Sequence, residues 1–220
     1  MFRDRIDAAE QLAGALSEFK RRKALVLGIP RGAVPMARLV AQSLDGEVDV
    51  VLVRKLRAPD SPEYAIGSID EQGHALISDQ AGATAAGADY LEAEKARQLG
   101  VLRERRAVYS ANRGPVNPSG RIVIVIDDGL ATGSTMLAAL KALRARAPQQ
   151  LICAVPVAPP ETLAKVRACC DTLVCLHAPA GFFAVGQFYR DFAQVDDSEV
   201  IKALAPLHPG PLPLKGGAAI

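Results

Sequence analysis

Apolar runs of strand length recur along this chain, separated by stretches in which apolar residues return every three or four positions. Residues 24–29, 48–53, 151–155 and 172–176, and the run Val123-Ile-Val-Ile126, read as strands; residues 33–44, 134–146, 160–170 and 197–204 read as helices. Strands alternating with helices predict an α/β fold with a central, mostly parallel sheet flanked by helices. Residues 4–22 carry Ile6, Leu12, Leu16 and Phe19 at helical spacing. Asp7 and Glu10 stand near the start of that segment and the basic run 20–23 near its end, as the helix dipole favours. Residues 89–109 predict a longer helix, opened by Asp89 and Glu92 in a D-x-x-E start. Leu91, Lys95, Leu99 and Leu102 would line one side, and the arginine-rich end 103–106 would be solvated. Between residues 57 and 73, Pro59, Asp60, Ser61 and Pro62 form turns, and residues 65–69 and 74–77 pair as a small hairpin that could be mobile. Beyond residue 205, Pro206, Pro209, Pro211 and Pro213 alternate with glycines, which predicts a disordered tail or linker after one domain spanning residues 1–205.

Composition narrows the class. A chain of 220 residues, half of them apolar, can bury one full core, and 5% aromatic content without Trp predicts aliphatic strands and alanine-rich helices. A net charge of +2 argues against broad nucleic-acid binding, which needs a strongly basic face. No apolar run approaches 18 residues, and Met-Phe-Arg-Asp-Arg lacks the apolar stretch of a secretory signal, so a soluble, cytoplasmic protein without membrane contact is expected. Cys153, Cys169, Cys170 and Cys175 fit neither a disulfide framework nor a C-x-x-C metal pair and read as buried, reduced thiols. Cys175 and His177 lack a second pair to complete a zinc site, and His74 and His208 read as surface residues.

The chemistry concentrates after the third strand, in Asp127-Asp-Gly-Leu-Ala-Thr-Gly-Ser-Thr135. A strand buried on both faces places Asp127 and Asp128 at its carboxyl end, where open α/β sheets bind ligands. Gly129 and Gly133 let backbone N–H groups approach an anion, Thr132, Ser134 and Thr135 add hydroxyl donors, and the following helix contributes the positive end of its dipole. Two carboxylates would repel a phosphate, so they suit hydroxyl donors or a hard cation such as Mg²⁺. A phosphorylated sugar satisfies both halves. A nucleotide P-loop would need a Lys after the second glycine, which is absent here. A paired-aspartate phospho-acceptor leaves Thr132 to Thr135 without a purpose, and a plain capped turn leaves the two acids unexplained.

This stretch resembles the 5-phosphoribosyl-1-pyrophosphate (PRPP) motif of type I phosphoribosyltransferases. The resemblance extends through Gly28-Ile-Pro-Arg-Gly-Ala-Val-Pro35, Val53-Arg-Lys55, Phe183-Ala-Val-Gly186 and Phe188-Tyr-Arg-Asp-Phe192 to a bacterial subgroup of that family. It implies the type I fold with a small hood and a flexible loop or hairpin. Asp127 and Asp128 would hold the ribose hydroxyls, with Gly129 beside them, and Ala131, Thr132, Gly133, Ser134 and Thr135 would wrap the 5′-phosphate. Arg31 and Gly32 would form the pyrophosphate loop, which in the family often carries a non-proline cis peptide. Arg54 and Lys55 would approach the same pyrophosphate from the next strand. Asp127, Asp128 and Arg31 are the expected catalytic residues. Mg²⁺ would arrive mainly on PRPP, with Asp127 or Asp128 as a candidate ligand. Glu63 and Tyr64 are candidates in the flexible loop; the hood would come from the N-terminal helix and residues 181–191, where Phe182, Phe183, Phe188 and Tyr189 could stack on a planar acceptor.

The implied activity is Mg²⁺-dependent transfer of the phosphoribosyl group to a nitrogen nucleophile, a nucleobase first, in nucleotide metabolism or nucleoside salvage. Ala131 stands where 6-oxopurine enzymes carry an aspartate, and Leu130-Ala-Thr-Gly133 is similar instead to the adenine and uracil enzymes. A PRPP-binding regulator or sensor without turnover is the alternative, and a PRPP-dependent partner of a fused or neighbouring enzyme is a third reading. A homodimer is compatible with all three.

Overall fold

The computed structural model describes residues 1–59, 61–78, 87–110 and 114–205; the side chain of Glu63, as well as His208 and the tail expected at 206–220, lie outside the described residues. Five parallel strands form the main sheet: β1 (Leu25–Gly28), β2 (Glu47–Val50), β6 (Ile122–Ile126), β7 (Gln150–Val157) and β8 (Thr172–His177), in the order β2-β1-β6-β7-β8. β6 lies at its centre and every residue of it is buried. Alternate side chains feed two cores. Val26, Ile124, Ile126 and Ile152 pack with Leu12, Met36 and Val40 from α1 (Arg5–Ala15) and α2 (Ala33–Leu44). Leu25, Val123, Val125 and Cys153 pack with Met136, Leu140 and Val166 from α4 (Ser134–Arg144) and α5 (Pro160–Arg167). Because β1 and β6 are parallel neighbours, with Gly28 opposite Ile126, the turns that follow them emerge side by side at one edge of the sheet.

The hood is a second, antiparallel sheet of β3 (Val53–Ala58), β4 (Ser61–Asp70) and β5 (Ala75–Ile77), packed against α4 and α3 (Ala88–Tyr109). The hairpin expected within residues 65–77 is therefore present as β4–β5. Gly67 is needed there, because a Cβ would stand 2.5 Å from the Leu76 carbonyl oxygen. The strand expected over 48–53 divides instead: β2 ends at Val50 and Val53 opens β3. Leu56 and Ala58 alternate with exposed Lys55 and Arg57, the period-two pattern of a half-buried strand. The N-terminal helix and residues 181–191, expected to build the hood, meet each other: the Phe2 N–H donates to the Phe188 carbonyl at 2.8 Å, and the Arg190 N–H to the Phe2 carbonyl at 2.9 Å.

The helix α3 departs most from expectation. Its buried residues are Glu94, Gln98, Leu102, Arg106 and Tyr109, a largely polar face, and Arg106 is not solvated. The Arg106 guanidinium donates to Asp49 at 2.8 Å and to the Val50 carbonyl at 3.0 Å, and pairs with Glu71. Burial alone would favour its neutral form, but these two carboxylates hold the guanidinium more firmly charged than usual. The first helix is also shorter than 4–22, ending at Ala15 before a 3₁₀ turn, Ser17–Phe19. All four cysteines are free thiols, with Cys153 buried and its thiol pushed well up by that burial.

Candidate active site

The β6–α4 turn carries the site. Asp127 and Asp128 leave the end of β6, and Gly133, at φ +70°, turns the chain into α4. That left-handed conformation favours glycine, and an added Cβ would also meet the Thr162 methyl at 2.7 Å. The obstruction thus comes from α5 behind the turn rather than from the anion cradle in front of it. Thr162 is buried and donates its hydroxyl to the Ala131 carbonyl at 2.7 Å, while the Leu130 N–H donates to the Val157 carbonyl at 2.9 Å. Those two bonds brace the turn from the sheet side. Its other side opens into a recess of about 220 Å³ lined by Asp127, Ala131, Thr132, Ser134, Thr135 and Val185. Thr132 and Ser134 hydroxyls stand 3.2 Å apart at its wall.

The two carboxylates are electrostatically uncomfortable. Burial and the neighbouring charge of Asp128 push the Asp127 carboxyl well above the usual carboxylate range; burial also raises Asp128, although the Arg5 guanidinium pulls it back. Hydroxyl donors or a cation entering the recess would favour the ionised form of both. Among the described residues no group of three or more His, Cys, Asp or Glu side chains could hold a metal. Asp127 and Asp128 are the hard carboxylate oxygens at this turn that could contribute to holding such a cation.

The β1–α2 turn lies beside it. Gly28 lets α2 approach closely, since a Cβ there would stand 2.8 Å from the Val34 Cα, and the Pro30–Arg31 peptide bond is cis. At Gly32 a Cβ would fall 2.2 Å from the Asp128 Oδ2, so the two turns are in direct contact. Arg31 is partly exposed and stands 3.8 Å from Asp197, at the start of α6 (Asp197–Leu204). Arg54 reaches the same neighbourhood: with Pro30, Val53, Arg105 and Thr135 it lines a second recess of about 80 Å³. Its guanidinium is held by Gln98, and both burial and the nearby Arg105 favour loss of its charge. A further anion would relieve that repulsion. Lys55 does not join this group; it projects from the other face of β3 into a recess shared with Ser68, Ser78, Ser134 and Lys141.

The aromatic candidates separate by burial. Tyr189 is buried between Phe2 and Phe192 and donates its hydroxyl to the Asp128 carbonyl at 2.6 Å, so its ring is committed to packing. Phe188 packs against the core and pairs with Phe182, whereas Phe183 is 94% exposed. Tyr64 lies exposed on β4. Three residues that sequence reasoning passed over stand at the site: Thr162, Arg105 and Arg5. Arg5, in the first turn of α1, donates from Nε to Asp128 Oδ2 at 2.9 Å. Nothing local in the sequence marks these residues, because each acts on a partner distant in the chain.

Known proteins match this arrangement. The crystal structure of TT1426 from Thermus thermophilus superimposes with a TM-score of 0.84 at 43% identity, covering 92% of this chain and 97% of that one. Two Mycobacterium tuberculosis proteins, from strains CDC 1551 and H37Rv and each provisionally named a phosphoribosyl transferase, are 41% identical over 209 residues. That alignment covers 94% of this chain but 47% of each relative, so the chain spans about half the length of the curated relatives it matches. The family model described as a phosphoribosyl transferase domain matches residues 3–192, and the chain belongs to that family.

Proposed function

We propose that this domain is a PRPP-dependent phosphoribosyltransferase, a pentosyltransferase that moves the 5-phosphoribosyl group to a nitrogen of a nucleobase and releases pyrophosphate. The observation that carries the reading is the β6–α4 turn, where Asp127 and a ring of small-residue and hydroxyl donors line one recess and Asp128 stands next to them, both carboxylates half-buried. In this arrangement Asp127 and Asp128 accept hydrogen bonds from the ribose hydroxyls, while residues 131–135 surround the 5′-phosphate at the N-terminus of α4. Arg31 and Gly32, next to Pro30 of the smaller recess that Arg54 and Arg105 line, receive the pyrophosphate. Mg²⁺ arriving with PRPP would be held on the protein side by Asp127 or Asp128 and would supply charge neutralisation to the departing group.

The acceptor nitrogen attacks C1 of the ribose as the C1–O bond to pyrophosphate breaks with its electron pair, and the nitrogen's proton passes to solvent or to the departing pyrophosphate. The chain's part is positioning and electrostatics: it holds the sugar by two carboxylates and the leaving group by cations, with Val185 forming part of the wall of the recess. Ala131 gives a 6-oxopurine no carboxylate partner for its polar edge, which favours adenine or uracil over hypoxanthine or guanine. Of the aromatic candidates in residues 181–191, Phe183 is the one left exposed, and stacking on a planar ring is assigned to it on that ground.

Pyrophosphate release from Mg²⁺-PRPP with each of the four bases tests this. The expected result is turnover, with adenine or uracil giving the higher kcat/KM. Hypoxanthine or guanine ahead of both by about tenfold would overturn the acceptor assignment. PRPP binding with no turnover on any nitrogen acceptor would favour the sensor.

A further inference from the structure

Arg5 is a charged side chain only 15% exposed, and three partners hold it there. Its Nε donates to Asp128 Oδ2 at 2.9 Å and a second guanidinium nitrogen stands 2.8 Å from the same oxygen. Another nitrogen donates to the Ala193 carbonyl at 2.6 Å, and the guanidinium lies 3.8 Å over the Phe192 ring. The frame around it is equally defined. Asp4 caps α1 by accepting from the Asp7 N–H at 2.8 Å, and residues 2–3 are tied to 188–191 by backbone bonds from Phe2, Arg190 and Asp191. This clasp delivers Arg5 to the carboxyl edge of the sheet, across 123 residues of chain, beside the one turn that carries the paired acids.

We infer that Arg5 is a positioning residue for ribose recognition: it fixes the rotamer of Asp128 and offsets the second negative charge of the Asp127–Asp128 pair, so that Asp128 is presented to a sugar hydroxyl. The inference rests on the PRPP reading above. A guanidinium suits the task because its planar fork can bind a carboxylate and a carbonyl at once while lying on an aromatic face. Both short contacts fall on Oδ2, which ties that oxygen and leaves the carboxylate's orientation determined by α1. Gly32 adds to this, since any side chain there would displace Asp128 Oδ2 and crowd Arg5 Nε at 3.0 Å. The same contacts would also arise if Arg5 merely stapled α1 to the sheet, so the test must separate positioning from stapling.

The separating experiment is a double-mutant cycle on ligand binding. PRPP, ribose 5-phosphate and pyrophosphate are titrated calorimetrically into wild type, Arg5→Gln, Arg5→Lys, Asp128→Asn and the combined variants, with melting temperatures recorded for each. Arg5→Gln should weaken PRPP and ribose 5-phosphate by about tenfold or more, because a buried carboxylate loses its charged partner. Arg5→Lys should lose about threefold, since an ammonium cannot serve Asp128 and Ala193 together. In the Asp128→Asn background either Arg5 change should cost less than about twofold further, the mark of two residues acting as one unit. Pyrophosphate alone should bind all variants within about threefold of wild type, because it makes no use of the ribose acids. Additive losses, an unchanged PRPP affinity in Arg5→Gln, or tighter binding would overturn the inference. If Arg5→Gln does not fold, the cycle with Arg5→Lys decides alone. Failure of the wild-type protein to bind PRPP would instead remove the parent reading and this inference with it.

Discussion

The two edges of the parallel sheet carry charges of opposite purpose. At the amino edge two pairs of charges are answered by the fold itself: Arg121, ahead of β6, pairs with Glu47 at 2.7 Å, and Asp171, ahead of β8, accepts from the Leu151 N–H at 2.7 Å and pairs with Arg144 at 2.8 Å. These contacts tie strand starts to one another and ask for no ligand. At the carboxyl edge two acids lie next to each other in one turn with one close cation, Arg5 on Asp128, while Arg31 stands only 3.8 Å from Asp197 and Arg54, held by the uncharged Gln98, lines an open recess. Like charges held together against burial are costly unless something arrives to satisfy them, and this imbalance is what distinguishes a binding edge from a structural one.

The comparison breaks most easily at Gly133. Gly133→Val forces a β-branched residue into φ +70° and drives Cβ toward Thr162, which supports the Ala131 carbonyl. Displacing the turn by even an ångström should weaken PRPP and ribose 5-phosphate by about a hundredfold, measured by calorimetry, while pyrophosphate binding changes little. Uniform retention of all three ligands would place the 5′-phosphate elsewhere. Arg31→Ala should have a smaller and complementary effect. Loss of a charge-assisted contact worth about 1.5–3 kcal/mol weakens pyrophosphate and PRPP roughly tenfold or more, with ribose 5-phosphate nearly unchanged. Equal losses for pyrophosphate and ribose 5-phosphate would contradict the division between the two turns.

The smallest effect belongs to the amino edge. Hydrogen bonds from Arg144 and from the Leu151 N–H hold the Asp171 carboxyl below its ordinary range. A carboxyl depressed on folding stabilises the protein above its unfolded pKa, and that contribution fades as pH falls through the folded value. Because the pair is more than a third exposed, Asp171→Asn should cost about 0.5–1 kcal/mol at neutral pH, lowering Tm by about 1–4 °C. The difference should vanish in acid below the usual carboxylate range, with PRPP binding untouched throughout. A pH-independent Tm loss, or a loss of binding, would erase the contrast between the edges.

The carboxyl-edge chemistry was legible because it is contiguous. Val123 to Ile126 is too apolar to be anything but a central strand, and the acids, glycines and hydroxyls follow without interruption. The helix α3 was legible only as a helix. Its buried face is polar, since Glu94 accepts from Arg57 and Gln98, and Arg106 reaches Asp49 and Glu71; a periodicity of apolar residues cannot reveal charges satisfied 35 to 57 residues away. Arg5 and Thr162 were hidden for the same reason, one looking like an ordinary basic residue at a helix start and the other like a helix-surface threonine. The division of residues 48–58 between two sheets was missed because Val51-Leu-Val53 continues an apolar run that gives no sign of where the chain changes partners.

The central claim is that Asp127 and Asp128 receive the ribose of PRPP, and calorimetric titration of Mg²⁺-PRPP into wild type and the folded Asp127→Asn, Asp128→Asn double variant tests it most directly. Two charge-assisted hydrogen bonds of about 1.5–3 kcal/mol each predict a loss of at least a hundredfold. Affinity in the double variant within about threefold of wild type, a change of less than 1 kcal/mol, would contradict the ribose assignment and with it the reading of the carboxyl edge.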